Sequence, residues 1–321
     1  AGTTAPRTVN FTIGETPLPI QVIRVSGTSR YQTSVAASHE GFPAGASAVV
    51  LATGTDWPDA LGGSALAGAV DGPLLLTHPD VLPAEVATEV SKLGADTAYI
   101  LGGTGAVSTG VESSLRRLGL TVIRIGGASR YDTASLVAAE VIRLLGPGYT
   151  GDVFVATGRD FPDAAGAAPV AASLGWPIVL ANPATGAVNV PPAATRAVIL
   201  GGTGAVPASV ESALGSLFAQ RLGGLNRYDT AALVAQLGVD HGMHWDGVGL
   251  ATGTSFPDAL SGGAMLGHED SVMLLTRPDI LSSEARAKLV ANKRSVRALH
   301  IFGGMGAVSL SVESAARTAL Q

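Results

Sequence analysis

Polar side chains of unchanged type recur three times along the chain. Arginine occupies one repeated position, at Arg30, Arg130 and Arg227. Aspartate occupies another, at Asp59, Asp163 and Asp258. Arginine binds carboxylates and phosphates through a planar fork of N–H donors, whereas aspartate transfers protons or starts helices. The chemistry open to such a set is anion binding, acid–base catalysis or the joining of structural elements.

The repeated arginines lie in "SRYQTS" at 29, "SRYDTA" at 129 and "NRYDTA" at 226. This places each arginine at the first position of a predicted helix, where the helix dipole disfavours a cation. A residue kept against its local preference needs a partner. Three partners remain open: the Asp59-type carboxylate, a neighbouring domain, or an anionic ligand.

Helix capping explains most of the repeated carboxylates. Asp56 and Asp59 have the N-cap and N3 spacing, with Pro58 in the first turn, and Ser255 in the third copy is also a good cap. The pairs Ser29–Gln32, Ser129–Asp132 and Asn226–Asp229 have the spacing of a capping box. The unchanged type of Asp59, Asp163 and Asp258 leaves a second role open.

A glycine-rich stretch follows a strand in each copy, as "LGGTGAV" at 101 and 200 and "FGGMGAV" at 302. Its backbone N–H groups could cradle an anion, but a tight turn between strand and helix is the favoured interpretation. The stretch is a poor dinucleotide fingerprint, because its third glycine position holds Ser108, Pro207 or Ser309. The candidate ligand-binding residues are therefore Arg30, Thr53, Asp59, Gly103, Arg130, Thr157, Asp163, Gly202, Arg227, Thr252, Asp258 and Gly304.

Strands and helices alternate within each copy. "AVVLATG" at 48 and "GPLLLT" at 72 are short apolar runs typical of buried parallel strands. Leu82, Val86, Val90 and Leu93 form one face of an amphipathic helix. The alternation predicts three α/β units with parallel sheets. Loops after parallel strands meet at the carboxyl edge, so Arg30, Thr53, Asp59 and the turn at 102–105 should converge there, as should their counterparts.

Two features complicate a simple threefold repeat. In the second copy Gly186, Pro191 and Pro192 exclude a helix that the other copies have, so something else must cover that sheet, for example a neighbouring copy. The third copy ends at Gln321 before any closing strand. The chain's first strand could fill that place, which would give a closed ring of three units.

Composition narrows the function classes. The chain has 321 residues, of which 46% are apolar and 14% charged, as in a packed globular protein. A net charge of −5 argues against a nucleic-acid partner, and prolines and glycines interrupt the uncharged stretch at 164–195, which argues against a membrane span. No cysteine is present. The histidines, including the two in "HGMH" at 241, do not recur at equivalent positions of the three copies. We therefore expect no catalytic residues, no metal and no cofactor.

The motifs "SRYDTA", "ATGRDFPDAAG", "ATGTSFPDALSG" and "LGGTGAV…VES" together resemble the cell-wall-binding repeat family, type 2, of Gram-positive surface proteins. The resemblance covers nearly the whole chain, from about 20 to 320. It implies three Rossmann- or Toprim-like modules packed as a pseudo-threefold trimer within one chain. It also implies secretion and non-covalent attachment to an anionic wall polymer, either teichoic-acid-like or a secondary wall polysaccharide. Copy one departs from the family at Gln32, copy three at Ser255, and copy two at its third helix.

The repeat predicts an N-terminal extension at 1–19 and modules at 20–118, 119–217 and 218–321. The start, "AGTTAPRTVN", is no signal peptide and suits a mature secreted chain or a shortened one. Family members usually carry an effector region, so we expect an isolated anchor or a fragment. Three weak sites on one polymer would gain by avidity. The competing functions are a structural surface-layer or adhesion protein and, less favoured, an enzyme acting on wall polysaccharide.

Overall fold

The computed structural model describes residues 20–321, in which strands and helices alternate as the sequence predicts. The N-terminal extension lies outside the described residues. The first elements are β1 (Gln21–Val25), α1 (Arg30–Gly41), β2 (Ala48–Thr53), α2 (Gly63–Ala69), β3 (Leu74–Thr77), α3 (Ala84–Leu93), β4 (Thr97–Leu101) and α4 (Thr109–Arg117). The next are β5 (Thr121–Ile125), α5 (Arg130–Leu145), β6 (Asp152–Thr157), α6 (Pro162–Gly166), α7 (Ala168–Leu174), β7 (Ile178–Ala181), β8 (Arg196–Leu200) and α8 (Ala208–Leu214). The last are β9 (Phe218–Leu222), α9 (Arg227–Asp240), β10 (His244–Thr252), α10 (Pro257–His268), β11 (Ser271–Thr276), α11 (Ser283–Asn292), β12 (Ala298–Phe302) and α12 (Leu310–Ala319).

The strands form three four-stranded sheets in which every neighbouring pair is parallel. Their orders are β3-β2-β4-β5, β7-β6-β8-β9 and β11-β10-β12-β1. Every residue of β2 and of β6 is buried, as expected for strands covered on both faces. The three α/β units with parallel sheets are confirmed.

The chain closes into a ring through its first strand. β1 pairs in parallel with β12, from Gln21 beside Ala298 to Val25 beside Phe302. It occupies the place that β5 takes beside β4 and that β9 takes beside β8. The predicted ring closure is therefore confirmed. Each sheet takes its fourth strand from the next repeat around the ring: β5 and β9 follow the boundaries at 118 and 217, and β1 belongs to the first repeat. Below, the first module contains α1–α4 and β2–β5, the second α5–α8 and β6–β9, and the third α9–α12, β10–β12 and β1.

Glycine and alanine bring the central helices together. α2, α7 and α10 pack on one another at the centre of the ring, and one apolar core runs through all three modules. A Cβ atom added to Gly68 would lie 2.1 Å from the carbonyl oxygen of Ala172. A Cβ atom added to Gly263 would lie 2.3 Å from the Ala168 Cβ. Small residues thus permit a helix approach that larger side chains would block.

The second module covers its outer sheet face with its own chain. An antiparallel bridge joins Val188 to Ala181, and Val188, Val190 and Ala194 pack in the outer core of this module. The absence of a helix here is confirmed, but the suggestion that a neighbouring copy covers the face is wrong. Val188 and Val190 alternate as in a strand, so an extended segment can place both on the sheet despite the following prolines.

No helix within residues 20–321 has both the length and the hydropathy of a membrane span. The uncharged stretch at 164–195 is divided among α6, α7, β7 and the covering segment.

Candidate functional site at the module junctions

Three capped helix starts place the repeated arginines. α1, α5 and α9 begin at Arg30, Arg130 and Arg227. Their N-cap side chains accept hydrogen bonds from the backbone N–H three residues on, at 3.2 Å for Ser29, 3.3 Å for Ser129 and 3.0 Å for Asn226. The predicted capping at these three helices is confirmed. Each guanidinium therefore projects from a fixed first turn at the carboxyl edge of the sheets.

Each arginine binds the loop after the second strand of its own repeat. Arg130 donates from Nη1 to the Gly158 carbonyl oxygen at 3.0 Å, and Arg227 donates to the Gly253 carbonyl oxygen at 2.6 Å. Arg30 makes the same bond to Gly54. This backbone partner lies outside the three alternatives that the sequence left open. The alternative of a neighbouring domain is also met, since Arg227 Nη2 lies 3.7 Å from Asp160 Oδ2 of the preceding repeat.

The repeated aspartates face the next module. Burial raises the pKa of Asp59 above its ordinary value, while a hydrogen bond from Thr133 and the charge of Arg130 oppose that rise. Burial likewise raises the pKa of Asp163, opposed by Thr230 and Arg227. At the ring closure, burial raises the pKa of Asp258, opposed by Arg30 and Thr33.

Each junction thus combines an aspartate from one module with a threonine and an arginine from the next. The expectation that Arg30 converges with Asp59 needs correction, since the aspartate beside Arg30 is Asp258. The physical reason is the ring, which stacks the carboxyl edge of each module against the first helix of its neighbour.

The glycine-rich turns pack directly against these aspartates. Gly102 has a φ of +96°, and a Cβ atom there would lie 2.6 Å from Asp59 Oδ2. The equivalent distances are 2.4 Å for Gly201 to Asp163 Oδ2 and 2.4 Å for Gly303 to Asp258 Oδ2. Only glycine combines this backbone conformation with so close an approach. The tight-turn interpretation is therefore confirmed.

The second glycine of each turn faces open space. A Cβ atom on Gly103, Gly202 or Gly304 would meet no atom within 4 Å. A ligand could therefore approach the backbone here.

The strand-end threonines are buried and shape the loops. Thr53 Oγ1 lies 2.9 Å from Thr55 Oγ1, and Thr252 Oγ1 lies 2.8 Å from Thr254 Oγ1. In the second copy the backbone N–H of Arg159 donates to Thr157 Oγ1 at 3.2 Å. These hydroxyls bind the turn that follows, so we assign them to loop geometry.

The prediction that Asp56 and its counterparts cap the following helices is wrong. α2, α6 and α10 have Gly62, Phe161 and Phe256 at their N-caps, and no side chain bonds there. Asp56 Oδ1 instead accepts from the backbone N–H of Trp57 at 2.9 Å. In the first repeat a turn at 57–62 separates Asp56 from α2. In the second and third repeats the aromatic residue takes the N-cap position and the proline begins the helix.

The junction between the first and second modules forms an open groove of about 360 Å³. Among its lining residues, Thr53, Asp59 and Gly105 come from the first repeat, and Ser129 and Arg130 from the second. Three of the candidate residues thus meet at one junction, namely Thr53, Asp59 and Arg130, and the glycine turn contributes Gly105 in place of the candidate Gly103.

An aromatic cluster links the junctions and was not singled out from the sequence. Phe161 lies between Trp57 and Phe256, with ring centroids 6.5 Å and 6.0 Å away. The Arg130 guanidinium lies 5.0 Å from the Trp57 ring and that of Arg30 lies 6.0 Å from the Phe256 ring. The recurring signal was present, because each copy has an aromatic residue before the Pro-Asp pair.

A second set of arginines anchors the glycine turns. Arg24 donates to the Gly303 carbonyl oxygen at 2.9 Å and pairs with Glu313 at 2.8 Å. Arg124 makes the same contacts with Gly102, at 3.0 Å, and with Glu112, at 2.9 Å. Arg221 and Glu211 complete the set at Gly201. The arginine repeated in "RVSG" at 24, "RIGG" at 124 and "RLGG" at 221, together with the glutamate of "VES", carried this signal.

The histidine pair at 241 and 244 falls outside this arrangement. His241 Nδ1 lies 2.8 Å from the Leu237 carbonyl oxygen, and its ring packs on Trp176 at 5.0 Å. In residues 20–321 no three His, Asp or Glu side chains form a group that could hold a metal ion.

Known proteins of similar sequence share the repeat. The chain is 32% identical over 296 residues to the N-acetylmuramoyl-L-alanine amidase LytC of Bacillus subtilis, covering 91% of this chain and 57% of that protein. It is 30% identical over 294 residues to the amidase enhancer of the same organism, covering 91% of this chain and 39% of that protein. The chain thus spans about half the length of these relatives.

Two solved structures share the architecture. Cwp6 from Clostridium difficile superposes with a TM-score of 0.81 at 22% identity, covering 98% of this chain and 50% of that one. Cwp8 from the same organism gives a TM-score of 0.80 at 25% identity, covering 94% and 52%.

The sequence profile described as cell wall binding domain 2 (CWB2) matches three consecutive segments, 24–112, 124–211 and 221–313. Each match begins at a strand arginine that anchors a glycine turn and ends at a glutamate. That glutamate pairs with the arginine that begins the next match around the ring. The three segments together account for most of the chain. It therefore belongs to the cell wall binding domain 2 family.

Proposed function

We propose that the chain binds an anionic polymer of a Gram-positive cell wall, without catalysis, through the grooves at its three module junctions. The observation that carries this proposal is the arginine repeated at each junction, which a hydrogen bond to an uncharged carbonyl oxygen fixes in place; within residues 20–321, only Arg227 among the three also lies within 4.0 Å of a carboxylate oxygen, that of Asp160. A fixed guanidinium beside an open glycine turn suits phosphate or carboxylate groups.

The half-buried aspartates have a joining role in this proposal. Asp59, Asp163 and Asp258 pack against a glycine turn of their own module and lie beside a threonine of the next. A raised pKa would also suit a general acid. A carboxyl packed against backbone and held by a hydroxyl is better explained as the joint that positions the arginine.

Three modest sites suit one long ligand. The chain carries a net charge of −5, so long-range attraction to a polyanion is absent, and each groove must act locally. A polymer bound at one groove presents its neighbouring units to the others at high effective concentration. Secretion and a location on the wall follow from this proposal.

Co-sedimentation with purified Gram-positive walls tests the proposal. We expect the protein to pellet with intact walls, to stay in solution with walls that acid has stripped of anionic polymer, and to release from intact walls as salt rises. Equal binding to stripped walls would contradict the anionic ligand. Release of soluble wall fragments during incubation would contradict the absence of catalysis.

A further inference from the structure

The three junctions share their core residues but differ in the carboxylates that flank them. Two positions vary. The residue two places after the "ATG" of each repeat is Asp56, Asp160 or Ser255. The third residue of the helix that the junction arginine begins is Asp132, Asp229 or Gln32. In the sequence, Gln32 and Ser255 belong to the first and the third repeat. The ring closure brings these two departures to the same junction.

By its equivalence to the groove between the first and second modules, we call this junction the ring-closing groove and define it by Ser255 and Asp258 of the third module and Arg30 and Gln32 of the first. Gln32 Oε1 accepts from the Thr28 backbone N–H at 2.9 Å. Asp229 Oδ2 accepts from the Leu225 backbone N–H at 2.9 Å. Glutamine therefore keeps the hydrogen bond of the aspartate and removes its charge.

The arginine of the ring-closing groove lacks the carboxylate contact that Arg227 makes, and it is more exposed than either counterpart. Arg227 Nη2 lies 3.7 Å from Asp160 Oδ2, whereas the equivalent residue in the ring-closing groove is the neutral Ser255. Among residues 20–321, no carboxylate oxygen lies within 4.0 Å of the Arg30 guanidinium or of the Arg130 guanidinium. Arg30 is also exposed, whereas Arg130 and Arg227 are partly buried.

The remaining grooves are less favourable for anions. Asp56 and Asp59 line the groove between the first and second modules together with Arg130, and Asp132 follows Arg130 in the first turn of α5. The groove between the second and third modules has the equivalent three carboxylates and gains one cation, Arg159, at the position of Thr55. The ring-closing groove pairs one guanidinium with one carboxylate, Asp258. Like charges near a bound anion weaken its binding, and the effect is strongest where water is partly excluded.

We propose that the ring-closing groove is the principal anion-binding groove of this chain, and that Ser255 and Gln32 determine its preference over the other two. The ligand groups are the phosphodiesters or carboxylates of a wall polymer. This inference rests on the proposed function and adds which of the three grooves contributes most to anion binding.

Reciprocal substitutions test the proposal. The double variant Ser255→Asp with Gln32→Asp gives the ring-closing groove the residues of the other copies, so each change is compatible with the fold. The control variant Thr88→Asp with Ser212→Asp adds the same charge at exposed helix positions whose hydroxyls bond only within their own helix. Binding is measured to intact walls, to poly(glycerol phosphate) and to polygalacturonate at low salt, with the melting temperature of each variant. The two soluble polymers distinguish phosphate from carboxylate recognition.

We expect the groove variant to bind on the order of tenfold more weakly than the wild type, and the control to change by less than about twofold. The converse variant, Asp56→Ser with Asp132→Gln, should strengthen binding, and it tests the proposal even if the first variant fails to fold. The proposal would be overturned if the Ser255→Asp, Gln32→Asp variant and the control variant lost the same amount of affinity. It would also be overturned if this variant and the converse variant both bound as tightly as the wild type. Failure of the wild type to bind walls would instead overturn the proposed function itself.

Discussion

At the scale of residues, the junctions depend on charged groups held by specific hydrogen bonds. The helix caps and the tight glycine turns could be predicted, because N-cap spacing and glycine-rich turns are local signals. The aspartate–threonine–arginine contacts could not, because their members come from different repeats and meet only after the modules pack. The unfavourable helix position of Arg30 indicated a missing partner without identifying which module supplies it.

The anchoring pair Arg24–Glu313 gives a pH prediction. Hydrogen bonds from Arg317 and Arg24 lower the pKa of Glu313 below its ordinary value of 4.5. The stabilisation is therefore complete above pH 4.5 and is lost as the pH falls through the lower pKa of the folded state. Glu313→Gln should lower the free energy of unfolding by about 1–2 kcal/mol at neutral pH. Urea unfolding from pH 7 to pH 3 should show this difference shrinking on acidification.

The control for this prediction is Glu140→Gln, which removes a pair with an arginine side chain that is 63% exposed. Although the Glu140 side chain is only 18% exposed, its arginine partner lies largely in solvent and three residues away on the same helix, so the change should stay within about 0.5 kcal/mol. A difference for Glu313→Gln that is the same at every pH would contradict the electrostatic explanation.

At the scale of elements, the alternating strands and helices follow from hydrophobic patterning, and the order of elements could be predicted for all three copies. Helix starts after the second strand were placed too early, because Asp56 and Pro58 imitate a capped first turn. The covering segment of the second module was missed because Val188 and Val190 acquire their role only from the sheet beneath them.

Helix packing at the centre gives a prediction about glycine. Gly68→Ala places a Cβ atom 2.1 Å from a backbone oxygen of α7, so the helices must move apart. We expect a loss of about 1–3 kcal/mol, which outweighs the gain in helix propensity of about 1 kcal/mol. The measurement is the melting temperature of the variant.

Gly148→Ala serves as the matched control, because a Cβ atom there meets nothing within 4 Å. Its melting temperature should stay at the wild-type value. If the melting temperature of Gly68→Ala equals or exceeds that of Gly148→Ala, the close packing of the central helices does not limit stability.

At the scale of the whole molecule, the ring explains why departures in distant repeats act together. The missing final strand of the third copy indicated closure by the first strand, and the pairing of β1 with β12 follows that expectation. The sheets are offset from the repeat by one strand, so a single repeat cut at 118 and 217 would lack its own fourth strand.

Circular permutation tests this topology. Joining Gln321 to Ile20 would connect α12 to β1 through three residues, as many as separate α4 from β5. Opening the chain between Leu118 and Gly119 would then make β5 the first strand. We expect this permutant to fold, and to bind walls as tightly as the unpermuted chain of residues 20–321. Loss of folding in the permutant alone would show that the three junctions are not equivalent in assembly.

The central claim is that the junction arginines bind the ligand. The most direct measurement compares wall binding and melting temperature of the triple variant Arg30→Gln, Arg130→Gln and Arg227→Gln with those of the wild type. Glutamine retains an N–H donor for the Gly54-type carbonyl oxygens and removes the charge. We expect binding to intact walls to fall at least tenfold while the protein still unfolds cooperatively within a few degrees of the wild type. Unchanged binding, or loss of binding only because the protein unfolds, would contradict the claim and assign the arginines to the joining of the modules.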